Sequence, residues 1–188
     1  MMPSTLEWIA VALGACNIAL LVRRSIWNYP FGMAMVTLYF VIFREARLYS
    51  DMGLQLFFFV VQGWGWWAWV RAGGLDGPVD VGRLTTPMRW LWLGGTALAT
   101  VLWGEGMDRY TDAVQPHWDA GVAMGSVAAQ ILLTQRKIEN WVGWIAVDVL
   151  AIALYANRGL HLTAGLYALF LVMSVWGFVE WRRVEQAT

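Results

Sequence analysis

The chain is an internal duplication of apolar segments. Moving the segment 20–69 forward by 112 positions lays it, without a gap, on 132–181, so that Asn28 meets Asn140 (140 − 28 = 112). Gly53-Leu54 meets Gly165-Leu166, Trp64-Gly65 meets Trp176-Gly177, and Trp69 meets Trp181. Leu20, Leu21, Arg24, Ile26, Ala34, Leu38, Leu48, Phe58 and Val60 recur in the same register. Repeated apolar segments mark many secondary transporters, whose substrate sites lie near the bilayer midplane at the repeat interface. The repeat therefore favours a carrier over an enzyme or a structural protein.

Lipid is the expected solvent. Of 188 residues, 59% are hydrophobic and 14% charged, whereas soluble domains carry about 25% charged residues. A formal net charge of zero, with the basic residues between the apolar runs, gives no sign of nucleic-acid binding. The single cysteine, Cys16, has no partner in the chain and is expected as a small packed residue. Glu7 and Trp8 precede the first apolar run and Arg23-Arg24 follows it, the wrong order for a cleaved leader, so that run is expected to be a retained span.

A membrane helix needs about 20 mostly apolar residues. Seven segments approach this, at roughly 4–22, 27–43, 52–70, 89–104, 118–135, 140–156 and 161–181. The predicted fold is all-α and integral to the membrane, with seven transmembrane helices in a 3+1+3 parallel repeat. Residues 1–70 form the first three-helix bundle, 71–117 the connectors and linker helix, and 118–188 the second bundle. Alternate loops collect Arg23, Arg24, Arg71, Arg83, Arg89, Arg136, Lys137, Arg182 and Arg183 on one side, against Arg44, Arg47, Arg109 and Arg158 on the other. The positive-inside rule then predicts an external N-terminus and a cytoplasmic C-terminus.

Polar groups inside spans are costly, so each is a candidate for function. Asn140, Trp144 and Asp148 are spaced four apart and share a helix face, which Tyr155 extends. An amide, an indole, a carboxylate and a phenol on one face suit a flat aromatic ligand bearing hydroxyls, and a cationic ring gains from the indole. The matching stretch of the first half holds Asn28, Pro30 and Gly32, but Asp148 falls on Val36; asymmetric groups on a symmetric frame suggest an asymmetric ligand. In the run 62–69, four indoles ring the helix, and the headgroup belt accounts for some of them. Gln62 and Trp64 are predicted to face inward, Trp64 because it repeats as Trp176. Gln55, one heptad before Gln62, and Gln130 are further intramembrane amides. His117 and His161 lack ligand-spaced partners, so no metal centre or cofactor is predicted.

The Asn140-Trp141-x-x-Trp144-x-x-x-Asp148 run, the Trp64-Gly65-Trp66-Trp67-x-Trp69 cluster and Asn28-Tyr29-Pro30-x-Gly32 together resemble the PnuC family of bacterial nicotinamide riboside transporters, over nearly the whole chain. The resemblance implies a fold similar to full-length SWEET sugar transporters, two three-helix bundles joined by a linker helix, in a homotrimer within the inner membrane. Some relatives carry an additional N-terminal span that this chain is expected to lack. It also implies facilitated diffusion of nicotinamide riboside by alternating access, with no coupling ion, and trapping by a cytosolic kinase. The residues expected to hold substrate are Asn28, Gln62 and Trp64 with Asn140, Trp144 and Asp148, and then Gln130, Trp176, Tyr155 and Gln55. Open alternatives are a carrier of another nucleoside, vitamin or sugar, an integral-membrane enzyme, and a passive pore.

Overall fold

The computed structural model describes residues 5–45, 49–111, 115–157 and 161–187. Seven helices occupy them: α1 (Thr5–Val22), α2 (Asn28–Glu45), α3 (Tyr49–Arg71), α4 (Thr86–Tyr110), α5 (Pro116–Thr134), α6 (Glu139–Asn157) and α7 (His161–Ala187). They belong to two compact units, residues 1–80 and 81–188. In the first, α1 packs on α2 and α2 on α3; in the second, α4 packs on α5, α5 on α6 and α6 on α7. α4 outruns the segment 89–104 expected for it, continuing through Glu105 to Tyr110. The Arg109–Glu105 pair at one-turn spacing supports that added turn.

The duplication in sequence is a duplication of local geometry. α1 ends with Arg24 in the left-handed region (φ 58°) and α5 with Arg136 in the same conformation (φ 57°). The bonds Arg24 N–H to Leu21 O and Ser25 N–H to Leu20 O recur as Arg136 to Leu133 and Lys137 to Leu132. This is the Schellman arrangement, which satisfies carbonyls at a helix end that have no partner inside the helix. A non-glycine residue there costs about 1–2 kcal/mol. Part of that cost is offset at Arg24, whose guanidinium donates to Val79 O at 3.0 Å. At Arg136 the backbone carbonyl accepts Gly82 N–H at 3.0 Å, and Ile138 N–H donates back to Gly82 O.

Buried rings join α2 to α3 in the first unit and α6 to α7 in the second. Tyr29 meets Trp69 edge-on, with centroids 5.3 Å apart at 87°. Trp141 meets Trp181 in the same way, at 5.5 Å and 88°. All four side chains are buried. Such edge-to-face pairs add about 0.5–1.5 kcal/mol beyond area burial. Each pair needs a glycine. A Cβ on Gly65 would stand 2.7 Å from the Tyr29 ring, and one on Gly177 would overlap the Trp141 ring. Close approach at small residues is how helices associate where lipid removes the hydrophobic incentive.

The outer surface is apolar. Trp90, Leu91, Leu93, Leu98, Leu102 and Trp103 are all exposed along α4, which packs on α5 alone among the described helices. A continuous apolar face of this kind suits lipid better than water. Among the described residues one stretch, Ala164–Ala187, is long and apolar enough by itself to cross a bilayer, and Trp8–Val22 and Asn28–Ile42 are shorter apolar stretches. Trp and Gly dilute the hydropathy of the other helices, as in the Gly63-to-Trp69 run of α3, although indoles are at home near headgroups. Cys16, expected within the packing, is exposed, because α1 has only α2 against it among the described helices.

Gly65→Ala and Gly177→Ala are expected to destabilise the protein by about 1–3 kcal/mol each, through overpacking against a ring. Gly53→Ala and Gly165→Ala, where an added Cβ meets nothing within 4 Å, are expected to be neutral or stabilising, since alanine favours helix by up to about 1 kcal/mol. Thermal unfolding of the four variants in detergent, followed by size-exclusion fluorescence, checks both halves of this expectation.

Candidate functional site

The polar face predicted on α6 is present and buried. Asn140 is fully buried and Asp148 is 3% exposed, while Trp144 between them is half-buried. The Asn140 amide donates to Lys137 O at 2.6 Å, which anchors it to the turn before its own helix. Its Oδ1 is buried without a hydrogen-bond partner among the described residues, and so is the indole N–H of the neighbouring Trp141. A buried polar atom without a partner costs on the order of 1–3 kcal/mol. Asp148 accepts a hydrogen bond from the Ser174 hydroxyl on α7 at 2.9 Å, with both side chains buried.

The first unit carries an amide cluster at the corresponding position of the repeat. Asn28 donates to Ser25 O at 2.7 Å, the counterpart of the Asn140 bond. Asn17 on α1 donates to the Asn28 backbone carbonyl at 2.7 Å. Gly32 lies between amides: a Cβ there would overlap Gln62 Oε1 and stand 2.7 Å from Asn17 Nδ2. Glycine at 32 thus lets side chains from α1 and α3 converge over α2. The Gln62 side chain is buried, and no described residue pairs with its amide. Gln130 on α5 is likewise a buried amide with no side-chain partner among the described residues.

Three predicted residues are less enclosed. Trp64, predicted to face inward, is 44% exposed, and its repeat partner Trp176 is 45% exposed. The ring that turns inward from the tryptophan cluster is Trp69, since Gly65 one turn earlier opens the space that Tyr29 fills. Trp67 is also outward, with the Arg71 guanidinium 4.1 Å over its ring. Gln55 is half-buried on α3. The Tyr155 side chain lies outside the described residues. Sequence reasoning missed Asn17 and Ser174. The repeat register held a signal for the second, because Ser174 occupies the position of Gln62 (174 − 62 = 112). Asn17 had no such signal, as its counterpart is Ala129.

A charged network ties the start of the second unit together, outside the apolar segments. Glu139, in the first turn of α6, accepts from Leu84 N–H at 3.1 Å and from Arg89 Nε at 2.9 Å. Arg83 pairs with Glu185 at 2.6 Å. A carboxylate at a helix N-terminus is favoured by the helix dipole, so Glu139 both caps α6 and holds the segment leading into α4.

A family model described as nicotinamide mononucleotide transporter matches residues 4–183. The chain belongs to that family. The nicotinamide riboside transporter PnuC of Escherichia coli strain K12 is 27% identical over 203 residues, covering 95% of this chain and 85% of that protein. The riboflavin/roseoflavin transporter RibM of Streptomyces davaonensis is 26% identical over 178 residues, covering 93% and 83%. Among solved structures, the crystal structure of the vitamin B3 transporter PnuC superposes with a TM-score of 0.81 at 25% identity, over 97% of this chain and 82% of that one. The chain is thus a transporter by family, with the all-helical fold of PnuC.

Gly32→Ala is expected to push the Gln62 and Asn17 amides apart while leaving the fold intact, because the displaced atoms are the ends of flexible side chains. Substrate uptake should fall by about ten-fold, the scale of one lost buried hydrogen-bonding group, with unchanged size-exclusion behaviour of the purified variant.

Proposed function

We propose that this protein carries nicotinamide riboside across the bacterial inner membrane by facilitated diffusion, through alternating access and without a coupling ion. The observation that carries this reading is the likeness along almost the whole chain to proteins named nicotinamide riboside transporter. The local chemistry is consistent with it. A pyridinium ring is attracted to an indole face such as Trp144, and ribose hydroxyls pair with amides and a carboxyl group. In this proposal Asn140, Trp144 and Asp148 of the second unit and Asn28 and Gln62 of the first recognise substrate, with Gln130, Trp64, Trp176, Gln55 and Tyr155 in supporting places. The duplicated turns and ring pairs support two three-helix repeats joined by α4, similar to SWEET transporters. The distribution of basic residues between alternate loops supports an external N-terminus and a cytoplasmic C-terminus. Assembly as a homotrimer among membrane lipids belongs to the same proposal.

The riboside fits better than its phosphate. The buried polar side chains among the described residues are Asn28, Gln62, Ser126, Gln130, Thr134, Asn140, Asp148 and Ser174, and they include no cation. A phosphate brought among them would lose its water without gaining a positive partner and would face Asp148, which is costly. The likeness to RibM favours one second reading, a flavin carrier, since an isoalloxazine ring also stacks on indole.

Calorimetric titration of nicotinamide riboside into the detergent-purified protein is expected to show saturable one-to-one binding, weakened at least about ten-fold by Asp148→Ala or Trp144→Ala. Val172→Ala, at an exposed α7 position, should leave binding unchanged. Absence of heat with the wild-type protein would reject the riboside as substrate. In uptake competition, unlabelled riboside is expected to block entry of labelled riboside, while nicotinamide mononucleotide, thiamine and glucose should not. Competition by riboflavin at equal strength would transfer the assignment to a flavin.

A further inference from the structure

We propose that Ser174 is a positioning residue that sets which substrate hydroxyl the carrier selects, acting through Asp148; the proposal rests on the riboside reading above. Three observations lead to it. First, the Ser174 hydroxyl donates to Asp148 Oδ2 at 2.9 Å across α6 and α7, and the two side chains are 4% and 3% exposed. A serine has one proton to give, and here it is committed to Oδ2. Asp148 Oδ1 has no hydrogen-bond partner among the described residues. The pair therefore offers an acceptor and rewards a substrate group that donates, an O–H rather than an ether or a bare carbon.

Second, position 174 is position 62 in the repeat register, and Gln62 is a buried polar side chain on the third helix of its own unit, set against the second helix at Gly32. The same place on the frame is polar in both units although the residues differ. Third, the differences are matched. Where the second unit has Asp148 and Ser174, the first has Val36 and Gln62. On α6 a carboxyl is present, and α7 supplies a short donor that reaches it. On α2 it is absent, and α3 supplies a longer amide with both donor and acceptor. Ser174 thus belongs with Asp148 as a unit, and its hydroxyl holds the carboxyl in one rotamer and orients the remaining oxygen.

The test is uptake of labelled nicotinamide riboside into proteoliposomes by the wild-type protein and the Ser174→Ala, Ser174→Thr, Asp148→Asn and Asp148→Asn/Ser174→Ala variants, with ribosides lacking one ribose hydroxyl at a time as competitors. In Ser174→Ala, KM is expected to rise about ten-fold with Vmax within about two-fold of wild type, the scale of one hydrogen bond to a carboxylate. Ser174→Thr, which keeps the hydroxyl, should recover most of the affinity. Wild type should discriminate against one deoxy analogue, and Ser174→Ala should lose most of that discrimination. In the Asp148→Asn background, Ser174→Ala should add nothing further. Unchanged KM and unchanged discrimination in Ser174→Ala would overturn the proposal. So would a fall in Vmax alone, or additive losses in the double variant, since these report packing rather than positioning. If wild type takes up no riboside, the functional reading itself fails and the proposal falls with it; if wild type transports while Ser174→Ala behaves as wild type, only the proposal falls.

Discussion

A glycine on α3 and a ring on α2, and again a glycine on α7 and a ring on α6, approach so closely that a methyl group has no place between them. Gly65 and Tyr29 make this contact in the first unit, and Gly177 and Trp141 in the second. Each ring then meets a second, fully buried indole edge-on, Trp69 or Trp181. The polar groups depend on this contact. Asn28 and Asn140 each immediately precede the packed ring in sequence, and Gln62 and Ser174 lie three residues before the packing glycines. Helix separation and helix rotation are set at the ring, so the approach of Asn17 and Gln62 over Gly32 and the Ser174–Asp148 bond depend on it. In lipid, where apolar burial gives helices little reason to associate, such close contacts and interhelical hydrogen bonds carry the association.

On this common frame the two units have different chemistry. The first presents amides only, Asn17, Asn28 and Gln62 gathered around Gly32. The second presents Asn140, a carboxyl and its serine partner, with the indole of Trp144 where the first unit has Gly32 (144 − 32 = 112).

Much of the fold was legible because the constraint that produces it is periodic. Seven helices follow from apolar runs of bilayer length, and the matched turns follow from a gapless register between 20–69 and 132–181. The polar residues Asn28, Gln62, Gln130, Asn140 and Asp148 were legible for a related reason: an intramembrane polar group stands out against an apolar background, and all five are buried. The tryptophans were not. Trp64, Trp66, Trp67 and Trp69 have the same side chain within six positions, and chemistry alone does not say which of them a helix turns inward. The repeat pointed to Trp64 and Trp69 equally, because both recur. Only the position of Gly65 relative to Tyr29 decides that Trp69 is enclosed and Trp64 is left 44% exposed.

The sequence by itself determined the seven helical segments, the duplication, the asymmetry of Asp148 against Val36, and family membership over residues 4–183. These are properties of single segments or of one segment compared with another, and they need no knowledge of which side chains touch. The tertiary structure decided the pairings: Ser174 with Asp148, Asn17 and Gln62 over Gly32, and Glu139 with Leu84 and Arg89. Those depend on helix rotation and on distances of a few ångströms between residues tens of positions apart. A small polar residue such as Ser174 is equally at home packing two helices or orienting a carboxyl until its neighbour is known.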